Sequence, residues 1–225
     1  MLTIYGVPVS VHTRKVIVTA LHKGLQFRVE PVIPFNPPAD WASLSPTGKI
    51  PVADIGGFKL ADSAVICAYL DRLHPAPPIY PRDDKAYAQA RWFEEYAGGT
   101  IFRDVVHGLF FNKVIRPGIL KQPTDAAAVA TILDDVAPAK LAYLEAALGG
   151  DWFAGGQMSI ADIAIASNLV NFHYLGYDID RMRYPKLAAY FRRMLSDKAF
   201  GAALESEKAA AESMKLDRGF LGVPA

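Results

Sequence analysis

Residues 2–25 read LTIYGVPVSVHTRKVIVTALHKGL, and their pattern changes once, between Tyr5 and Ser10. Leu2 to Tyr5 is short, apolar and partly β-branched, which predicts a strand. From about residue 12 to 23, Val16, Ile17, Ala20 and Leu21 recur at helical spacing, and Gly24 stands where a helix stops. Working outward, Phe27 to Val32 reads as a second strand, followed by an irregular stretch holding Pro34, Pro37 and Pro38. Pro51–Ile55 and Phe58–Leu60 flank Gly56-Gly57 and read as a hairpin. Ala61-Asp62-Ser63 then opens a helix with Ile66, Tyr69, Leu70 and Leu73 on its apolar face. The order predicts a small α/β unit.

His74 to Pro81 carries four prolines in eight residues, which neither a helix nor a central strand tolerates. Beyond it the strand signal ends and an alanine-rich helical pattern begins. Helices are expected over about Ala86–Val114, over about Thr124–Leu148 with a kink at Pro138, from Ser159 onward, and over about Pro185–Leu195. The terminal GFLGVPA reads as an irregular tail. The division expected is an α/β domain over 1–76, a linker over 77–85 and an all-helical domain over 86–225. Within MSIADIA, Ser159 and Asp162 have the spacing of a capping box, with Met158 and Ile163 as its staple.

Composition narrows the function. The chain has 225 residues, 52% of them hydrophobic, and Lys+Arg 24 against Asp+Glu 23 leaves a net charge of +1. Such a chain is globular, and no global field favours nucleic acid or an anionic membrane. The single cysteine, Cys67, excludes an internal disulfide and a CxxC pair and reads as a small core residue. The five histidines show no metal-ligand spacing, so no metal is expected. No secretory leader and no membrane-spanning run is visible, and a cytoplasmic protein is expected.

Three short segments can carry chemistry. Ser10 precedes a helix, where free N–H groups and the helix dipole favour an anion. It lacks the surroundings of a serine hydrolase, so its hydroxyl is either an ordinary cap or a hydrogen-bond donor to a bound thiolate. Ile50-Pro51 stands at the start of a strand. A cis bond there would leave the Ile50 backbone free to pair with an extended peptide. Asp62-Ser63 is either a cap pair or a site in which Ser63 holds a carboxylate and Asp62 an ammonium.

Taken in order, YGVPVSVHTRKVIVTALHKGL, PTGKIPVAD, LADSAVICAYL and WFAGGQMSIADIAIA resemble the cytosolic glutathione transferases over nearly the whole chain. The YGxPxS arrangement is most similar to the serine-type classes, phi- and theta-like. The resemblance implies a thioredoxin-like first domain with a cis-proline, an all-helical second domain and a homodimer. It implies an enzyme of detoxification that turns glutathione into a thiolate for attack on a small hydrophobic electrophile. A non-catalytic ligand-binding relative, or a glutathione-dependent peroxidase, isomerase or dehalogenase, are the alternatives. Ser10 would donate to the glutathione sulfur, with Tyr5 as the alternative hydroxyl. Ile50, before Pro51, would pair with the cysteinyl backbone, Asp62 and Ser63 would hold the γ-glutamyl end, and Lys49 would reach a ligand carboxylate. Arg14 would support Asp62 electrostatically. Val11, Phe35, His107, Phe110 and Phe111 are the candidates for the acceptor pocket.

Overall fold

The computed structural model describes residues 1–222. Four strands, β1 (Leu2–Tyr5), β2 (Phe27–Glu30), β3 (Val52–Ile55) and β4 (Phe58–Ala61), form one sheet in the order β2-β1-β3-β4. β1 pairs parallel with β2 and antiparallel with β3, and β3 pairs antiparallel with β4. The helix joining the parallel pair is α1 (Val11–His22), and α3 (Ser63–Leu73) follows β4; a short α2 (Trp41–Leu44) lies between β2 and β3. This is the thioredoxin-like arrangement that the resemblance implied. The second strand ends at Glu30, not Val32, because Pro31 has no N–H to extend the ladder.

The helical half begins with α4 (Asp84–Glu95) and continues without a break to Gly118. Along that run Tyr96–Val106 and Phe111–Ile115 have the wider π-helical turn, separated by α5 (His107–Phe110) and followed by α6 (Arg116–Gly118). The next helical stretch comprises α7 (Ala126–Thr131), a π turn at Ile132–Val136 and α8 (Ala137–Ala147). The expected kink at Pro138 corresponds to that π turn, since proline supplies no N–H to the preceding turn. After α9 (Ile160–Tyr174) and α10 (Pro185–Ser196) come α11 (Lys198–Ser206), α12 (Lys208–Ser213) and a 3₁₀ turn at Gly219–Gly222. That turn occupies part of the segment expected to be irregular, and Val223–Ala225 lie outside the described residues.

All fifteen residues of α9 are buried, so it is the axis of the helical half. Its start is fixed by Asp162, whose carboxylate accepts from Ser159 N–H (2.8 Å), Ser159 Oγ (2.9 Å) and Phe153 N–H (3.0 Å). Burial pushes the Asp162 carboxyl up to about 6 despite those donors. One apolar core runs through both halves, and α1 lies in the middle of it, between α3 and the pair α9 and α11. The proline-rich connection is pinned to both sides. Ile79 N–H donates to Asp71 Oδ1 (3.0 Å), Ile79 C=O accepts from Ile160 N–H (2.8 Å), and Lys23 Nζ donates to the His74 and Pro77 carbonyls.

Candidate functional site

The register of the sheet assembles the site. Tyr5, at the end of β1, stands opposite Val52, the first residue of β3, and Val52 stands opposite Ala61, the last of β4. The segments leaving those rows are Gly6–Ser10, Ile50-Pro51 and Asp62-Ser63. Three stretches far apart in sequence therefore emerge along one end of the sheet. Tyr5 also stands opposite Glu30, so the loop from Pro31 to Asp40 leaves the same end. Gly6 lets the chain turn there: a Cβ on it would lie 2.5 Å from Thr13 Oγ1.

Ser10 is the N-cap of α1. Its Oγ accepts from Thr13 N–H at 3.5 Å, the outer limit of a hydrogen bond, so the hydroxyl is only weakly committed to the cap. The Ile50–Pro51 bond is cis. Asp62 has φ +76 and caps α3, its Oδ1 accepting from Ala64 N–H (2.8 Å) and Val65 N–H (3.3 Å). Its second carboxylate oxygen, on an exposed side chain, remains available. Ser63 is buried as the first residue of α3, and Lys49 is exposed beside Ile50. The Tyr5 ring packs with Val32, Trp41 and Val52 in a small separate cluster, 6.4 Å from Trp41.

The structure corrects the role expected of Arg14. Its guanidinium is fully buried and engaged by Glu207 (2.9 Å), the Ser167 carbonyl (2.8 Å), Asn171 Oδ1 (2.8 Å) and the Val9 carbonyl (3.3 Å), not by Asp62. Arg14 thus ties the turn before Ser10 to α9 and the end of α11. Asn171 Nδ2 also donates to Val9 C=O, so the backbone just before Ser10 is held from the helical half. Nothing local in the sequence signals this, because Glu207 lies 193 residues away.

The acceptor-pocket residues divide. Val11 is core, and Phe110 packs into a second cluster with Val105, Leu109, Ala137, Phe172 and Leu175. Phe35 and Phe111 are exposed, and His107 is exposed with its ring 5.7 Å from that of Phe102. Along Tyr96–Val106 and Phe111–Ile115 a face extrapolated at 3.6 residues per turn drifts, because the turns there are wider. What sequence reasoning missed is His12, one turn into α1, with its ring 4.5 Å from Phe102. Burial, then Lys15, with Lys49 adding and Asp62 opposing, push its pKa down to about 4. Its position two residues after Ser10 was the available signal.

Cys67 is fully buried, its thiol pushed up to about 12 by desolvation, and Thr19 Oγ1 lies 3.3 Å from its sulfur. It lies within the core beneath α1, as a packing residue does.

The comparisons with known proteins agree with this architecture. The family model of the glutathione S-transferase N-terminal domain matches residues 4–78, and that of the C-terminal domain matches residues 126–193. The chain is 26% identical over 218 residues to FtsZ-localized protein A of Caulobacter vibrioides, covering 89% of this chain and 93% of the relative. It is 29% identical over 170 residues to glutathione S-transferase theta-1 of Bos taurus, covering 74% and 69%. Human glutathione S-transferase T1-1 in its apo form superposes with a TM-score of 0.82 over 96% of this chain and 91% of that one, at 23% identity. With both domain models matched in order, and the thioredoxin-like sheet followed by the helical bundle, the chain belongs to the glutathione S-transferase superfamily.

Proposed function

We propose that the chain is a serine-type glutathione transferase in which Ser10 donates a hydrogen bond to the sulfur of bound glutathione and holds it as the thiolate. The observation that carries this reading is the weak 3.5 Å cap at the N-terminus of α1, which leaves the hydroxyl free for a ligand. A thiol of pKa about 8.5 is only a few per cent ionised at neutral pH. Lowering that pKa by two units takes about 2.7 kcal/mol of preferential stabilisation. A hydrogen bond to a charged group contributes about 1.5–3 kcal/mol and a helix terminus about 0.3–1, which together suffice. The thiolate then attacks a small hydrophobic electrophile by substitution or addition, or reduces a peroxide. Neither a metal nor a protein thiol is needed for this.

In this reading the Ile50 backbone pairs with the cysteinyl unit of glutathione. Ser63 holds the γ-glutamyl carboxylate, Asp62 holds its ammonium, and Lys49 reaches a ligand carboxylate. The protein works in the cytoplasm as a homodimer, with the exposed Val65 of α3 and Trp92 of α4 in the contact; sedimentation of the V65E/W92E double variant should then report a monomer. No helix among the described residues is long and apolar enough to cross a membrane.

The test is the ultraviolet thiolate spectrum of bound glutathione, titrated with pH. Ser10→Ala should still bind glutathione while the thiolate titrates near its free value. Equal titration in both proteins would remove the assignment. The second reading is a non-catalytic binding protein of the same fold, and one relative, FtsZ-localized protein A, carries a name that gives a location and no reaction. Tight glutathione binding with no thiolate in the unmutated protein would select that one.

A further inference from the structure

His12 stands where α1 meets the helical half, and none of the glutathione contacts proposed above uses it. It is half-buried on the first turn of α1, against the π-helical stretch Tyr96–Val106. The Phe102 ring meets it edge-on, with centroids 4.5 Å apart and planes at 67°. One turn earlier, a Cβ built on Gly98 would stand 3.8 Å from His12 Cε1, so the glycine leaves room for a methyl group beside the ring. Among the described residues neither ring nitrogen has a hydrogen-bond partner, and neither is among the side-chain nitrogens sealed from solvent. The charges that act on it are Lys15, Asp62 and Lys49, and Lys15 is itself paired with Glu94 at 2.8 Å. The imidazole is accordingly neutral at neutral pH and offers one N–H donor from a fixed position.

Addition of a thiolate to a conjugated carbonyl compound forms the C–S bond and shifts the C=C electron pair, leaving the negative charge on the carbonyl oxygen. Water then protonates the α-carbon. In a nitroarene the nitro oxygens hold the charge until the leaving group departs with its electron pair. We propose that His12 donates its N–H to the acceptor oxygen on which this charge appears, and so selects electrophiles that carry the incoming charge on oxygen: conjugated carbonyls and nitroarenes. The inference rests on the function proposed above. A donor already neutral and packed against Phe102 need not reorganise as the charge forms. His12 gains no proton in the step.

The test compares cinnamaldehyde and 1-chloro-2,4-dinitrobenzene with benzyl chloride, whose charge leaves as chloride. His12→Phe keeps a ring against Phe102 and removes the donor, and His12→Gln restores a donor. His12→Phe should lower kcat on the first two acceptors by roughly tenfold or more and leave benzyl chloride within about twofold. The glutathione Kd and the thiolate titration should not move, and His12→Gln should recover part of the loss. An equal fall on all three acceptors would make His12 structural, and no fall on any would remove the donor; either result overturns the inference while the thiolate reading stands. Absence of a bound thiolate in the unmutated protein would instead remove that reading, and this inference with it.

Discussion

The Ser10 hydroxyl lies 3.5 Å from the Thr13 amide, so the residue at the head of α1 caps its helix poorly. A well-made serine cap contributes about 1 kcal/mol. Ser10→Ala should therefore cost less than about 0.5 kcal/mol in urea unfolding, well below a well-made cap. A loss of 1 kcal/mol or more would show that the residue is spent on the fold.

Asp62 allows a cleaner separation of cap from ligand. Asparagine has nearly the shape of the aspartate it replaces and keeps an amide oxygen for Ala64 and Val65 N–H, but it has no charge to offer an ammonium. Asp62→Asn should leave the unfolding midpoint nearly unchanged. It should weaken glutathione binding by about tenfold or more, the scale of a charge-assisted hydrogen bond. Unchanged calorimetric affinity would reduce Asp62 to a cap.

Arg14 and Glu207 are both closed to solvent, and Tyr174 Oη also donates to Glu207 at 2.6 Å. Glu207→Gln leaves the guanidinium uncompensated and should cost about 3–5 kcal/mol. The paired change Arg14→Met with Glu207→Leu should recover much of that loss. A double variant as unstable as the single one would argue against charge burial as the cause.

Burial lowers the pKa values of His12, His22 and His173 below the ordinary imidazole value. Unfolding raises each back to about 6.5, so the unfolded chain binds more protons as pH falls below that value. These groups contribute stability above pH about 6.5 and lose it progressively on acidification, with a slope approaching about 1.4 kcal/mol per pH unit for His12. Asp162 acts in the opposite sense: its raised value favours the folded state as pH falls from about 6 toward the usual carboxylate range. Urea titrations should show His12→Gln flattening the slope between pH about 4 and 6.5. An unaltered slope would mean that His12 titrates normally.

Cys67 should be inert to an aromatic disulfide reagent in the folded state and react only as the protein unfolds. A fast native reaction would place the thiol outside the core.

Much of the sheet was legible because its strands are short apolar runs cut by glycine and proline: Leu2–Tyr5, and the two arms around Gly56-Gly57. The capping acid Asp162 was legible because its partner Ser159 is three residues away. Legibility ended where partners are remote or geometry departs from the ideal period. Arg14 cannot announce Glu207 from local pattern, and Phe102, which meets His12, lies on the stretch Tyr96–Val106, whose turns are π-helical. The Ser159 hydroxyl adds to the expected capping box by donating to the Asp162 carboxylate as well.

The ion pairs of α1 also limit recombination. Arg14 and Lys15 are adjacent and buried, and their counter-charges, Glu207 and Glu94, both belong to the helical half. A chimera joining residues 1–78 to the helices of a distant homologue would inherit two stranded cations unless carboxylates arrived in the same places. The halves match as separate domains, yet as heritable units they can be exchanged only with a donor that carries both acids, so the effective unit of shuffling is the whole chain.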